Sequence, residues 1–132
     1  MSINQMTYVP NEIFDQYLPY LNKAELKVLM VVLRQTLGWI DPKTKNRKLK
    51  DWITLSFFVR KTRLSRKSVS LAIRELIEKE LIVVLDNRER ELRKSKDRRG
   101  KKKLYYSYAP HFRAFKHKRS VKKLSHMFTY RH

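Results

Sequence analysis

Residues 53–82, ITLSFFVRKTRLSRKSVSLAIRELIEKELI, constrain the fold more than any other part of the chain. They read as a short helix, a tight turn and a longer helix. Ser56 stands where its hydroxyl can accept a backbone N–H left without a partner at the first helix's start, and Ser65 does the same for the second. Thr62, Arg63 and Leu64 leave room only for a turn, with Leu64 as its apolar plug. In the second helix Val69, Ala72, Ile73, Leu76 and Ile77 recur at i, i+3, i+4, i+7 and i+8, so one face is core. Lys67, Ser70, Leu71 and Arg74 form the opposite stripe. This is the plan of a helix-turn-helix whose second helix enters a DNA major groove. Two amphipathic helices with a polar outer face can also be a plain hairpin, so the weight falls on charge and on the segment downstream of the pair.

The charge is extreme: formal net +20 on 132 residues, with a pI near 10.5. Such a balance implies a polyanionic partner, most often nucleic acid and less often an anionic membrane surface. It is not evenly spread. Residues 88–103 carry ten cations against Glu89, Glu91 and Asp97, and residues 109–132 carry seven cations and no acid. A solvating charge run usually mixes signs. The chain is expected to be one domain with an appendage, and its hydrophobic fraction of 42% suffices for a core. It has no cysteine, which excludes disulfides and thiolate metal sites. The N-terminus has neither a basic region nor an apolar stretch, which argues against a signal peptide, and the apolar run at 28–33 is too short to span a membrane. A cytoplasmic protein without a membrane partner is the expectation.

Upstream, Pro10 and Asn11 open a short helix through Leu18, with Ile13, Phe14, Tyr17 and Leu18 on one side and Pro19 as its end. Asn22 with Glu25 makes a capping box for a largely apolar helix running to Leu37, stopped by Gly38. Residues 41–51 have loop composition, and residues 52–55 can form a short strand. Residues 81–85 are a β-branched run, and Leu104, Tyr106 and Tyr108 alternate with Tyr105 and Ser107. Two strands joined by the basic loop at about 87–103 make a wing. The expected fold is mainly α with a small β-sheet, a winged helix-turn-helix over residues 6–109. Pro110 ends that unit, and the basic tail 110–132 is either helical, with Val121, Leu124 and Phe128 at helical spacing, or disordered.

The runs YVPNE from Tyr8, LNKAELKVL from Leu21 and LRQTLGW from Leu33 resemble the N-terminal DNA-binding domain of phage lambda-type replication protein O. The pattern continues as ITLS from Ile53 and TRLSRKSVSLAIREL from Thr62, so the resemblance spans roughly residues 7–85. The Ala-Glu-Leu-Lys-Val-Leu and Gly-Trp pieces are fairly specific, whereas Leu-Ser-Arg-Lys-Ser-Val-Ser occurs in many winged-helix regulators. The resemblance implies a winged-helix domain that binds origin repeats, usually as a dimer, and helps to load a replicative helicase through a C-terminal region. Two departures stand out: Arg63 holds the turn position usual for glycine, and 132 residues leave no room for a separate helicase-recruiting domain. A replication-protein partner would then fall to the tail.

On this reading the DNA-contacting set is Ser65, Arg66, Lys67, Ser68, Ser70, Leu71 and Arg74 from the second helix, with Arg60, Lys61 and Arg63 from the first helix and turn. The wing adds Arg93, Lys94, Lys96, Arg98, Arg99, Lys101, Lys102 and Lys103. Arg66 and Lys67 reach phosphates, helped by the helix N-terminus, while Ser70 and Arg74 face base edges. Arginine pairs with O6 and N7 of guanine. Leu71 either touches a thymine methyl or packs on a neighbouring element. Glu75 and Glu78 suggest that contact fades by the third turn.

Other chemistries are weaker. The histidines at 111, 117, 126 and 132 lie in the tail at spacings that fit no compact ligand pair, so neither metal nor cofactor is expected. Tyr105, Tyr106 and Tyr108 could suggest a nicking nucleophile, yet no His-x-His motif accompanies them. Strand tyrosines are usually core or rim aromatics, though they can also stack on single-stranded bases. With only Gly38 and Gly100 there is no phosphate-binding glycine loop, and an enzyme is not expected. The leading reading is a sequence-specific duplex-DNA binder of phage, plasmid or mobile-element type acting at a replication origin. Its rivals are a winged-helix transcriptional regulator and an RNA or single-strand accessory protein.

Overall fold

Capping and apolar spacing place the helices that hold the rest, and the computed structural model describes them across residues 6–129, with side chains through 125. Helix α1, Lys23–Gln35, opens with the expected capping box: Asn22 Oδ1 accepts from the Glu25 N–H at 2.8 Å, and the Glu25 carboxylate accepts from the Asn22 N–H at 3.3 Å. Val28, Leu29, Val32 and Leu33 are fully buried, which makes α1 the central helix. Its end differs from the expectation. Helix α1 closes at Gln35, where Thr36 Oγ1 donates to the Val32 carbonyl at 2.7 Å, and Gly38 does not take a left-handed φ. Glycine is needed there for space, because a Cβ would lie 2.5 Å from the Arg34 carbonyl oxygen.

Ahead of α1 the chain forms a wide π-turn, Ile13–Tyr17, and then a 3₁₀ turn, Leu18–Tyr20. Pro19 lies inside the second turn instead of ending a regular helix, since a proline in a first turn gives up an N–H with no helical partner anyway. The wide winding buries Ile13 and turns Phe14 and Leu18 outward, so the one-sided apolar face expected of a regular helix is not formed.

Strand β1 is short, Asp51–Trp52. The Ile53 N–H donates to the Leu104 carbonyl, so the chain stays extended through Thr54. Helix α2, Leu55–Thr62, therefore takes Thr54 as its cap, its hydroxyl accepting from the Phe57 N–H at 3.1 Å, and Ser56 falls inside the helix. The turn after α2 is built by Thr62 and Arg63. Thr62 Oγ1 donates to the Phe58 carbonyl and accepts from the Leu64 N–H, while Lys27 of α1 donates to the Thr62 carbonyl at 3.1 Å. Arg63 takes φ 62° and ψ 21°, the left-handed conformation that glycine adopts without cost. Helix α3, Arg66–Glu78, is capped by Ser65 as expected and buries Val69, Ala72, Ile73, Leu76 and Ile77. Lys79 at its end reaches the buried Glu25 carboxylate at 2.6 Å, tying the end of α3 to the start of α1.

Strands β2, Ile82–Leu85, and β3, Tyr105–Tyr108, pair antiparallel, and β1 adds to the far edge of β3, giving the order β1-β3-β2. Ile82, Val84, Tyr106 and Tyr108 join the helical core, where the Phe58 and Tyr106 rings meet edge to face at 5.0 Å. Val83 and Leu85 are buried on the other face beneath Ala109 and Phe112 of the C-terminal helix, Ala109–Thr129. That second cover explains why β2 is apolar throughout and why the alternation in β3 is incomplete. Pro110, at the expected end of the unit, occupies the first turn of this helix, so of the two readings of the tail the helical one is seen, packed through Ala109 and Phe112. The side chains of His126, Phe128, Arg131 and His132 lie outside the described residues.

The basic loop is more ordered than a simple hairpin tip. Asp86, Arg88 and Arg90 form a tight turn, after which Glu91 bridges back to Leu85 and the Leu92 N–H donates to the Val84 carbonyl. A single turn of helix, α4, Ser95–Arg98, precedes the return to β3, and the C-terminal helix is accordingly α5. Among the described residues no helix is long and apolar enough to cross a membrane.

Candidate nucleic-acid interface

Helix α3 presents Lys67, Ser70, Leu71 and Arg74 to solvent, as its periodicity predicts. Leu71 is 48% exposed and lines a shallow groove with Asn22, Ala24 and Glu25 at the start of α1. Arg74 lies 3.6 Å from Glu75, an open pair that a stronger anion can displace. Ser65 accepts from the Ser68 N–H at 3.1 Å as the cap and donates its hydroxyl to Ser68 Oγ at 3.0 Å. Arg66 reaches back to Ser56 Oγ at 3.3 Å and links the start of α3 to the start of α2. Ser56 thus lies at the interface, although it is not the helix cap. Arg60 and Lys61 flank the Phe57 ring at 5.4 and 5.6 Å, and Arg63 projects from the left-handed turn, exposed.

The cations of the basic loop divide into two groups. Arg93 holds Glu80 at 2.7 Å, and Arg98 donates to the carbonyls of Leu92 and Arg93 at 2.9 Å each. Burial lowers the Arg98 pKa, and its guanidinium shapes the loop from within. Lys94, Lys96, Arg99, Lys101 and Lys102 are exposed and form no ion pair with any described residue. Lys103 lies over the Trp52 indole, 4.7 Å from its centroid.

The acids of this region collect on the side of α5. Arg113 makes a two-pronged contact with Glu91, at 2.8 and 2.9 Å, and reaches Glu80 at 3.4 Å. The Arg113 hydrogen bond holds the Glu91 carboxyl below its usual range, and the Arg93 hydrogen bond does the same for Glu80. Lys50 holds Glu89 at 2.9 Å and lowers its pKa likewise. Carboxylates that would repel a phosphate backbone are thereby neutralised between loop and α5. In the tail, burial pushes the His111 pKa down, and no group of three or more His, Asp or Glu able to hold a metal occurs among the described residues.

Residues 4–97 match the family of bacteriophage replication protein O. The chain belongs to that family. The match takes in α1, α2, α3, β2 and the loop as far as Asp97, so the whole helix pair and its turn lie within the replication protein O region, while β3 and α5 lie beyond it. No curated protein and no solved structure matches the chain. Sequence reasoning gave Trp52 and Lys50 no place near the cations and read Ser56 only as a cap; Trp52 is placed by strand pairing with Tyr105, more than 50 residues away.

Proposed function

We propose that this replication protein O family member is a sequence-specific duplex-DNA-binding protein that acts in replication initiation at an origin of phage, plasmid or mobile-element type. It works by binding and catalyses no reaction. The order helix, strand, helix, turn, helix, strand, loop, strand and the sheet order β1-β3-β2 support a winged helix-turn-helix, with α3 as reader and the loop as wing. The observation that carries the reading is the outer stripe of α3, where Lys67, Ser70, Leu71 and Arg74 are exposed while the opposite face is locked into the core. Arg66 and Lys67 contact phosphates, and Ser70 and Arg74 read base edges. Lys94, Lys96, Arg99, Lys101 and Lys102 follow the backbone. A homodimer on repeated sites, a replication-protein partner for the tail and action in the cytoplasm of the host cell complete the proposal.

Tyr106 and Tyr108 argue for binding over strand-nicking. Both are buried in the core, with burial raising the Tyr106 hydroxyl to about 12 and the Tyr108 hydroxyl higher still, aided by its bond to Glu12. Selection from a random duplex pool tests the proposal: it should recover one motif, and footprinting should find it in direct repeats. Protection of a single promoter palindrome would favour a transcriptional regulator. With about six to eight phosphates neutralised, log K should fall against log salt with a slope of roughly −5 to −7. Recovery of no motif, with salt-independent affinity, would overturn the reading.

A further inference from the structure

Trp52 and Tyr105 are directly opposed across β1 and β3, so both side chains lie on the sheet face away from α1, α2 and α3. Helix α5 covers this face over β2 and β3, where Val83, Leu85, Ala109 and Phe112 pack, and leaves Trp52 48% exposed. Tyr105 beside it is half-buried. An ammonium sits over each ring, that of Lys103 at 4.7 Å from the indole and that of Lys50 at 5.3 Å from the phenol. Lys116 and Arg119 of α5 approach Glu89 at 3.8 and 3.9 Å, the same carboxylate that Lys50 holds at 2.9 Å. Three cations around one acid leave a positive surplus beside the rings.

We propose that Trp52 and Tyr105 form a stacking platform for an unpaired nucleic-acid strand, separate from the duplex-reading face of α3. An unpaired strand offers what a duplex hides, the flat faces of its bases, and an aromatic ring stacks on them whatever the sequence. Trp52 is the exposed member, with the exposed Lys103 ammonium on its indole as the group an incoming base would displace. Tyr105, packed towards α5 and covered by Lys50, forms the rim of the platform. The flexible stem of Lys103 lets its ammonium swing from ring to phosphate as a base moves in, while Lys50 stays on Glu89 and Lys116 and Arg119 lie along the strand's path. The site explains an exposed tryptophan that neither the core nor α3 uses. It would hold one strand of a locally opened duplex next to the segment that α3 keeps closed.

The test uses the full chain carrying Trp39→Phe, so that Trp52 is its one indole. A short oligothymidylate should quench its emission, and a duplex of equal length should not. Trp52→Ala should weaken oligothymidylate binding about tenfold, and Trp52→Phe should retain most of it. Duplex affinity, with Arg74→Ala as its control, should change little in either variant. Equal quenching by oligouridylate would extend the ligand to RNA, because the rings read no 2′-hydroxyl. Unchanged emission at high strand concentration, or equal loss of strand and duplex in Trp52→Ala, overturns the platform. Absence of any duplex binding beside intact quenching would overturn the reading of α3 instead.

Discussion

Arg63 shows how one residue records a compromise. Its left-handed φ of 62° costs an L-residue about 1 kcal/mol, and its exposed guanidinium sits at the turn facing the proposed ligand. Arg63→Gly should raise the thermal midpoint by a few degrees and weaken duplex binding, as read by calorimetry and by titration. If the variant gains no stability, the strain is not at this residue. Asp86 is the second diagnostic position. The N–H of Arg90 foremost, then the Arg90 side chain and the Arg88 N–H, hold its carboxyl down from 3.8 to about 2. A carboxyl depressed in the folded state lends stability above its unfolded pKa and loses it as pH falls through the folded one. The thermal midpoint should therefore decline between about pH 4 and pH 2, and Asp86→Asn should flatten that decline. An unchanged profile in the variant would place the acid sensitivity elsewhere.

Among the elements, α3 was legible because its cap and its buried face are set within its own thirteen residues and the serine before them. The start of α2 was not. Thr54 and Ser56 can both cap, and the choice falls to a strand pairing with Leu104 that lies far off in sequence. A proline such as Pro110 fits a first helical turn as well as a boundary, and for α5 the sequence left helix and disorder both open. Its periodicity gave little help, since Phe112 is buried while residues 113–125 are all exposed. Phe112 should thus carry the docking of α5. Phe112→Ala should lower stability to urea by about 3 kcal/mol, whereas Arg113→Ala, which removes screened surface pairs, should cost about 1 kcal/mol or less. Similar costs for the two would mean that ion pairs hold the helix.

For the whole molecule, a net charge of +20 says what kind of partner to expect but not where it lies. The fold supplies the placement by pairing Glu80 with Arg93, Glu91 with Arg113 and Glu89 with Lys50. That pairing joins loop, strand and tail, so composition alone could not reveal it. The proposed function gives Arg74 and Lys102 different tasks. Arg74→Ala should relax preference among duplex sequences, and Lys102→Ala should weaken all of them alike and reduce the salt slope by about 1. Equal behaviour would refute the division between reading and gripping.

The outer stripe of α3 stands apart from the core: Lys67, Ser70 and Arg74 are exposed and Leu71 is half-exposed at the edge of a shallow groove. The cap at Ser65 and the tie from Lys79 to Glu25 secure the helix from its two ends. Mutation can therefore explore positions 67, 70, 71 and 74 at little cost to stability. If α3 reads duplex sequence as proposed, a lineage carrying this frame can follow a drifting target by changing a few exposed residues, and the scaffold is inherited unchanged.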